Sequence, residues 1–308
     1  MFGTGGAGRG ACRQVHPSRG ALVCRLMHAL TAEQRAVVQC AAAPGRRAVH
    51  GVVCAAGTGK TSTLVAVARA LLSAGHRCVH YAVFNRAAVE EARLLVPGGA
   101  SVGTLHSFAR LLLGARVETG SARTTQAVHA AAVSAALDQR VVACELQRFL
   151  VSSAMPAEWA ARGAAARAAI AAFWSLDPVG PGAMPVGHDI YMKHAQVCAS
   201  AGEARMVTTA LLVDESQDLS GCQVQFVLAH RARSQIFFVG DIAQAIYGFR
   251  GARASAFARA CNSSLKLTVS FRFGPAIACV VNADQLSVPD RRTSMFGKVS
   301  GLKSIRIP

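Results

Sequence analysis

Acidic residues are scarce in this chain. Among 308 residues there are 16 Asp and Glu against 33 Lys and Arg, giving a formal net charge of +17 and a pI of about 10.4. That excess favours a polyanionic partner, with nucleic acid as the first candidate. Compositional drift in an Ala- and Arg-rich chain is the alternative source of the charge. The 10 cysteines form no C-x-x-C pair and the 10 histidines do not cluster, which argues against a zinc site. No secretory signal is evident, so the expectation is reduced thiols in an intracellular protein. Mean hydropathy is +0.32, but much of it comes from alanine. No apolar run of about 18 residues is free of charge, so no membrane span is expected.

What the chain does contain is a stretch around which the rest is arranged, Val52-Val53-Cys54-Ala55-Ala56-Gly57-Thr58-Gly59-Lys60-Thr61-Ser62. The apolar residues Val49, Val52 and Val53 read as a buried strand, and Leu64, Val65, Val67, Ala68, Leu71 and Leu72 follow with helical spacing. A strand, a small-residue loop and a helix are the setting that a phosphate-binding loop needs. Gly57 and Gly59 let successive backbone N–H groups converge on one centre. The helix opening near Thr61 adds the positive end of its dipole. Lys60 would reach the β- and γ-phosphates, and Thr61 would offer its hydroxyl to Mg²⁺. Cys54 stands where the usual pattern has glycine, and a small residue still fits there. The alternative is an ordinary Gly-rich strand–helix turn.

Other segments fall into place around that loop. Leu30-Thr31-Ala32-Glu33-Gln34 opens a helix, with Thr31 as cap and Gln34 at the third position. Gln34 is either a plain capping-box residue or an amide that pairs with the adenine edge. Cys78 to Phe84 reads as a strand ending in Asn85-Arg86, with a helix after it, and Val102 to Phe108 as a short strand running into a helix. Such alternation argues for a parallel sheet with helices on both faces. Phe84, Asn85, Arg86, Thr104 and His106 lie at strand carboxyl ends, where ligands gather in such sheets.

From 119 to 205 the chain is Ala-rich and helical, broken at Pro156 and again at 178–182. Trp159, Trp174 and Tyr191 read as core. Strand character resumes at Ala210-Leu211-Leu212-Val213 and runs into Asp214 and Glu215. Asp214 can hold Mg²⁺ through water, and Glu215 can orient and deprotonate an attacking water. A further strand, Gln235 to Val239, leads to Gln244, placed to touch both the γ-phosphate and that water. Tyr247, Phe249 and Arg250 follow as an aromatic–basic series that can stack on bases and hold phosphates; the core is the alternative place for Tyr247 and Phe249. Leu265 to Val269 is the last strand, followed by Ser270-Phe271-Arg272.

Taken together, the phrases AAGTGKTSTL, FNRAA, GTLHSFA, LLVDESQD, FVGDIAQAIYGFRGA and SFRFG, in that order, resemble the N-terminal half of a superfamily 1 DNA helicase of the UvrD/Rep type. The similarity is greatest to the F-box DNA helicase branch and covers roughly residues 29 to 285. It implies a P-loop NTPase of α/β class, with a RecA-like parallel sheet, a helical insertion, and a second RecA-like domain only begun. It also implies ATP and Mg²⁺ as cofactors and single-stranded DNA as partner. Gln34 matches the adenine-reading glutamine, and Ala55 to Ser62 match the phosphate loop. Lys60 and Thr61 match the phosphate and Mg²⁺ contacts, Asp214 the metal ligand and Glu215 the catalytic base. Gln244 matches a γ-phosphate sensor and Arg272 an arginine reaching the γ-phosphate. Phe84, Asn85, Thr104, His106, Tyr247, Phe249 and Arg250 fall where the family touches single-stranded DNA. Ile242 stands where the family usually has proline.

The division expected on this basis is a basic disordered extension over 1–28, a motor domain over 29–118 and 206–265, and a helical insertion over 119–205. Residues 266–308 would then start a truncated second motor domain. The family's further arginine finger and threonine–histidine contact are not found, so slow hydrolysis and no unwinding are expected of this chain alone. A missing second motor domain or self-association would complete it. A catalytically idle, ATP-switched single-strand-binding module and an RNA-acting ATPase stay open as alternatives. The resemblance implies an intracellular, nuclear location, and the arginine-rich start leaves an organelle transit peptide as the other option.

Overall fold

The computed structural model describes residues 30–43, 47–114, 117, 119–120, 122–179, 185–203, 208–248, 251–252, 256–272, 274 and 277. The expected 1–28 extension, together with Phe249 and Arg250, lies outside the described residues. The elements are α1 (Ala32–Ala42), β1 (Val49–Cys54), α2 (Lys60–Ser73), β2 (Val79–Val83), α3 (Arg86–Leu95), β3 (Ala100–Thr104) and α4 (Leu105–Leu113). Five helices follow, α5 (Ala122–Ser134), α6 (Gln139–Val151), α7 (Pro156–Ala160), α8 (Ala164–Trp174) and α9 (His188–Ser200). The chain then returns through β4 (Ala210–Val213), α10 (Gly221–Leu228), β5 (Gln235–Gly240), α11 (Ala256–Arg259) and β6 (Ser263–Leu267).

The six strands form one sheet in the order β3-β2-β4-β5-β1-β6, and every pairing is parallel. This is the α/β, RecA-like arrangement expected from the alternation of strand and helix. Strands buried on both faces carry continuous apolar runs: all four residues of β4 and all six of β5 are buried. Alternate side chains enter two cores. Leu212, Phe237 and Val239 face Val37, Leu64, Leu71 and Val89 from α1, α2 and α3. Leu211, Val213, Ile236 and Phe238 face Phe108, Leu112, Phe226 and Phe257 from α4, α10 and α11. In α4 the apolar Leu105, Phe108, Ala109 and Leu112 recur at the helical period and are the residues buried. The sixth strand spans Ser263–Leu267, two residues earlier at each end than the Leu265 to Val269 read from the sequence.

The helical insertion shares the second core: Phe149, Phe173, Trp159 and Tyr191 belong to the same buried cluster as Phe238. Trp159 and Tyr191 are core residues as expected, whereas Trp174 is 50% exposed. Trp174 ends its helix, and the adjacent Phe173 takes the inward position against Phe149. Lys193 is fully buried and donates from Nζ to the carbonyls of Ser152 at 3.0 Å and Ala154 at 2.7 Å. Its ammonium lies 4.2 Å from the centre of the Phe149 ring, and burial pulls its pKa down to about 8. The chain end of α6 is thereby held against α9. A Cβ on Gly221 would meet Ser153 N at 3.0 Å, and one on Gly251 would meet Val151 Cγ2 at 2.8 Å.

His194 stacks on Phe173 with ring centroids 4.0 Å apart. Burial pulls its pKa down to about 4, against a smaller opposing effect from Asp177. The unfolded chain therefore takes up a proton at this residue near pH 6.5, and the folded chain only near pH 4. Its contribution is fully present above about pH 6.5 and is lost as pH falls towards 4, to a limit of about 3 kcal/mol. Denaturant unfolding at pH 7 and pH 5 should show His194→Phe losing less stability on acidification than the wild-type chain.

Candidate functional site

The carboxyl ends of β1 and β4 lie on one edge of the sheet, with β5 between them. The loop after β1 turns through Gly57 and Gly59, both in the left-handed region at φ 72° and 78°, a conformation that glycine adopts without steric cost. Cys54 needs no such freedom, because it is still within β1. It is 1% exposed, and burial pushes its thiol well up from the ordinary range. It behaves as a small apolar filler rather than a nucleophile. Within the loop, Thr58 Oγ1 donates to Ala55 O at 2.8 Å, and Ser270 Oγ donates to Ala56 O at 2.9 Å. Ser62 lies in the first turn of α2, which begins at Lys60.

Four of the expected residues meet here. Lys60 Nζ donates to Glu215 Oε2 at 2.9 Å, and Thr61 Oγ1 donates to Asp214 Oδ2 at 3.3 Å. The Tyr81 hydroxyl, which sequence reading missed, donates to the same oxygen at 3.1 Å. Burial raises Asp214 to about 6, and the charge of Glu215 adds to the shift. Glu215 itself has φ 50°, a strained backbone for a residue with a side chain and one that collects at functional sites. A threonine hydroxyl beside a buried carboxylate is a hard, oxygen-only donor set. That set suits Mg²⁺, which keeps several waters and takes one or two protein oxygens.

Gln34 serves its helix and the loop together. Its Oε1 accepts from Thr31 N at 2.9 Å, closing the capping box, and its Nε2 donates to Thr58 O at 3.1 Å. The segment after β6 crosses the loop. Thr268 donates through N and Oγ1 to the Glu33 carboxylate, and Phe271 N donates to Gly57 O at 2.8 Å. Phe271 is 64% exposed, and its ring lies near Gly59. Arg272 is exposed at the loop edge, and a Cβ on Gly57 would collide with the Arg272 Cβ. Gln244 is exposed and tied back to Asp241 through Nε2.

A wide concavity lies apart from the phosphate loop. It is a groove of about 1340 Å³ between the ends of β2 and β3 and the helical insertion. Phe84, Asn85, Thr104, His106 and Tyr247 all line it. Phe84 and Tyr247 form one aromatic wall, with ring centroids 4.8 Å apart. Asn85 caps α3 through its side-chain oxygen and Thr104 caps α4, so both place a helix N-terminus at the groove. His106 lies against His188 and Tyr191 of the insertion, with ring centroids 5.8 Å away in each case. Arg86, Arg93, Arg110 and Arg148 add cationic side chains, with Glu90, Asp189 and Asp218 as the acids. The residues from α6 and α9 carried no signal in the sequence, since only folding brings the insertion over the strand ends.

Cys54→Gly would restore the usual loop sequence. Because the position is in a strand and needs no positive φ, the change should leave nucleotide affinity unaltered and lower stability by about 1 kcal/mol. Calorimetric titration and thermal unfolding of the variant measure the two effects.

A family model described as an AAA domain matches residues 34–250, more than half of the chain. The chain is 29% identical over 301 residues to F-box DNA helicase protein 1 of Schizosaccharomyces pombe, covering 82% of this chain and 32% of that protein. It is 28% identical over 257 residues to F-box DNA helicase 1 of Gallus gallus, covering 73% of this chain and 25% of that protein. It thus spans between a quarter and a third of the length of these curated relatives. Among the described residues, no helix is long and apolar enough to cross a membrane. With the phosphate loop, the acidic strand end and the parallel sheet in place, the family match assigns the chain to the AAA domain family, and its N-terminal region is of the superfamily 1 helicase type.

Proposed function

We propose that this chain is the ATP-binding, single-strand-contacting part of an ATP-dependent DNA helicase. The observation that carries the reading is the meeting of Lys60, Thr61, Asp214 and Glu215 within hydrogen-bond distance beside a loop bent at two glycines. In this reading the backbone of Ala55 to Ser62 cradles the phosphates, and Lys60 leaves Glu215 for the β- and γ-phosphate oxygens. Glu215, relieved of the lysine, accepts the proton of the attacking water. Thr61 and Asp214 would hold Mg²⁺, whose chemistry is to offset charge building on the phosphates. Gln244 senses the γ-phosphate, and Arg272 reaches it from the segment crossing the loop. Gln34, buried with its amide holding Thr31 N and Thr58 O, would exchange one of these bonds to read an adenine edge, with the exposed ring of Phe271 on the same side of the loop.

The arginine-lined groove with its Phe84–Tyr247 wall suits a single strand, since aromatics stack on any base and arginines track phosphates. In the sequence, Phe249 and Arg250 follow Tyr247 and would continue the aromatic–basic series. The relatives' names, both DNA helicases, favour DNA over RNA. Movement from 3′ to 5′, service in repair or recombination, and a nuclear location rest on the resemblance alone. Residues 29–118 and 206–265 are proposed as the first motor domain, 119–205 as its insertion and 266–308 as the start of a second.

Steady-state ATPase of the purified chain, with and without single-stranded DNA, tests the reading. Turnover stimulated by the strand should fall by about 10²–10⁴-fold in Glu215→Gln, as expected on removing a general base, with nucleotide binding retained. Binding without turnover in either protein would favour an ATP-switched module over an enzyme. Competition between single-stranded DNA and RNA of one sequence tests the choice of strand.

A further inference from the structure

The nucleotide residues and the groove are joined by a continuous run of hydrogen bonds through Gln217 and Asp218, two side chains to which the proposed function gives no task. Gln217 is 2% exposed. Its Nε2 donates to Glu215 Oε2 at 2.8 Å, the oxygen that Lys60 also holds. Its Oε1 accepts from Asp241 N at 3.0 Å, where β5 passes into the turn carrying Gln244. The same Nε2 lies 3.3 Å from Asp218 Oδ2. Asp218 Oδ1 in turn accepts from Ile246 N at 3.3 Å, and the backbone of Tyr247 gives it a further hydrogen bond. Tyr247 packs at a tilt against Phe84 in the groove, which Asp218 itself lines. Glycine at 240 makes room for this arrangement: a Cβ there would lie 2.6 Å from Gln217 Oε1 and 2.9 Å from Gln217 N.

We infer that Gln217 and Asp218 are positioning residues that couple the phosphate site to the single-strand groove. The inference rests on the reading that the loop binds ATP and the groove a single strand. When Lys60 moves to phosphate, Glu215 keeps Gln217 as its partner, and any shift of that carboxylate is passed to the Asp241 turn and to the backbone of Ile246 and Tyr247. The aromatic wall of the groove then moves with the state of the nucleotide site. Coupling of this kind is reciprocal between the two ligands and independent of turnover.

The test is fluorescence anisotropy of a labelled oligothymidylate on the full chain, with and without Mg²⁺ and a non-hydrolysable ATP analogue. The wild-type chain should change its oligonucleotide affinity by roughly 5–150-fold between the two conditions. In Asp218→Ala and Gln217→Leu that factor should fall towards one, while both ligands still bind. Asp218→Asn, which keeps an oxygen for the Ile246 N–H, should retain more of the coupling than Asp218→Ala. Because Asp218 is only half-buried, its variants keep the test open should Gln217→Leu fail to fold. An unchanged factor in Asp218→Ala would overturn the inference, as would a wild-type chain that binds both ligands with no coupling. A wild-type chain that binds neither ligand would reject the functional reading itself, and the inference with it.

Discussion

The ion pair between Lys60 and Glu215 joins residues 155 apart in sequence, and the arrangement of the site depends on the constraint that makes it. A parallel sheet delivers the carboxyl ends of all its strands to one edge. Here that edge places the loop after β1 and the acids after β4 on either side of β5. The side chains of the pair are 11% and 39% exposed, too sheltered to be a fully screened surface contact and too open to carry the full penalty of a buried one. Its value is positional. It holds an ammonium and a carboxylate where phosphate oxygens and a water can each claim one of them.

Two apolar layers keep that edge rigid. Alternation along β4 and β5 sends Leu212, Phe237 and Val239 into one core and Leu211, Ile236 and Phe238 into the other. The second core continues without a break into the helical insertion, so the groove between insertion and sheet has a packed floor. The buried ammonium of Lys193 fastens the end of α6. Gly221 and Gly251 let two turns of the motor sheet approach that end closely. The groove and the phosphate loop therefore share one framework rather than facing each other across a hinge.

Much of this was legible because it is local. The sheet strands announced themselves as apolar runs such as Ile236-Phe237-Phe238-Val239, and the phosphate loop as small residues between a strand and a helix. Thr31 with Gln34 was legible as a capping box for the same reason. The contacts that escaped the sequence are those between distant segments. Glu33 meets Thr268 across 235 residues, Gln217 meets Asp241 across 24, and Tyr81 reaches Asp214 from a neighbouring strand. Nothing in the spacing of His188 or Tyr191 said that they would face His106. Trp174 was misread because a helix end with two adjacent aromatics can bury only one of them. Asn85 and Thr104 were noted for their place at strand ends, and their second role as helix caps follows from the residue types that begin a helix.

The central claim is that the loop and the acids form one ATP–Mg²⁺ site, and calorimetric titration of the chain with ATP tests it most directly. Binding of one nucleotide per chain should strengthen with Mg²⁺. It should weaken by about tenfold or more, about 1.4 kcal/mol, in Lys60→Ala, and Asp214→Asn should lose the Mg²⁺ dependence. ATP binding that is indifferent to Mg²⁺ and equal in all three proteins would contradict the account.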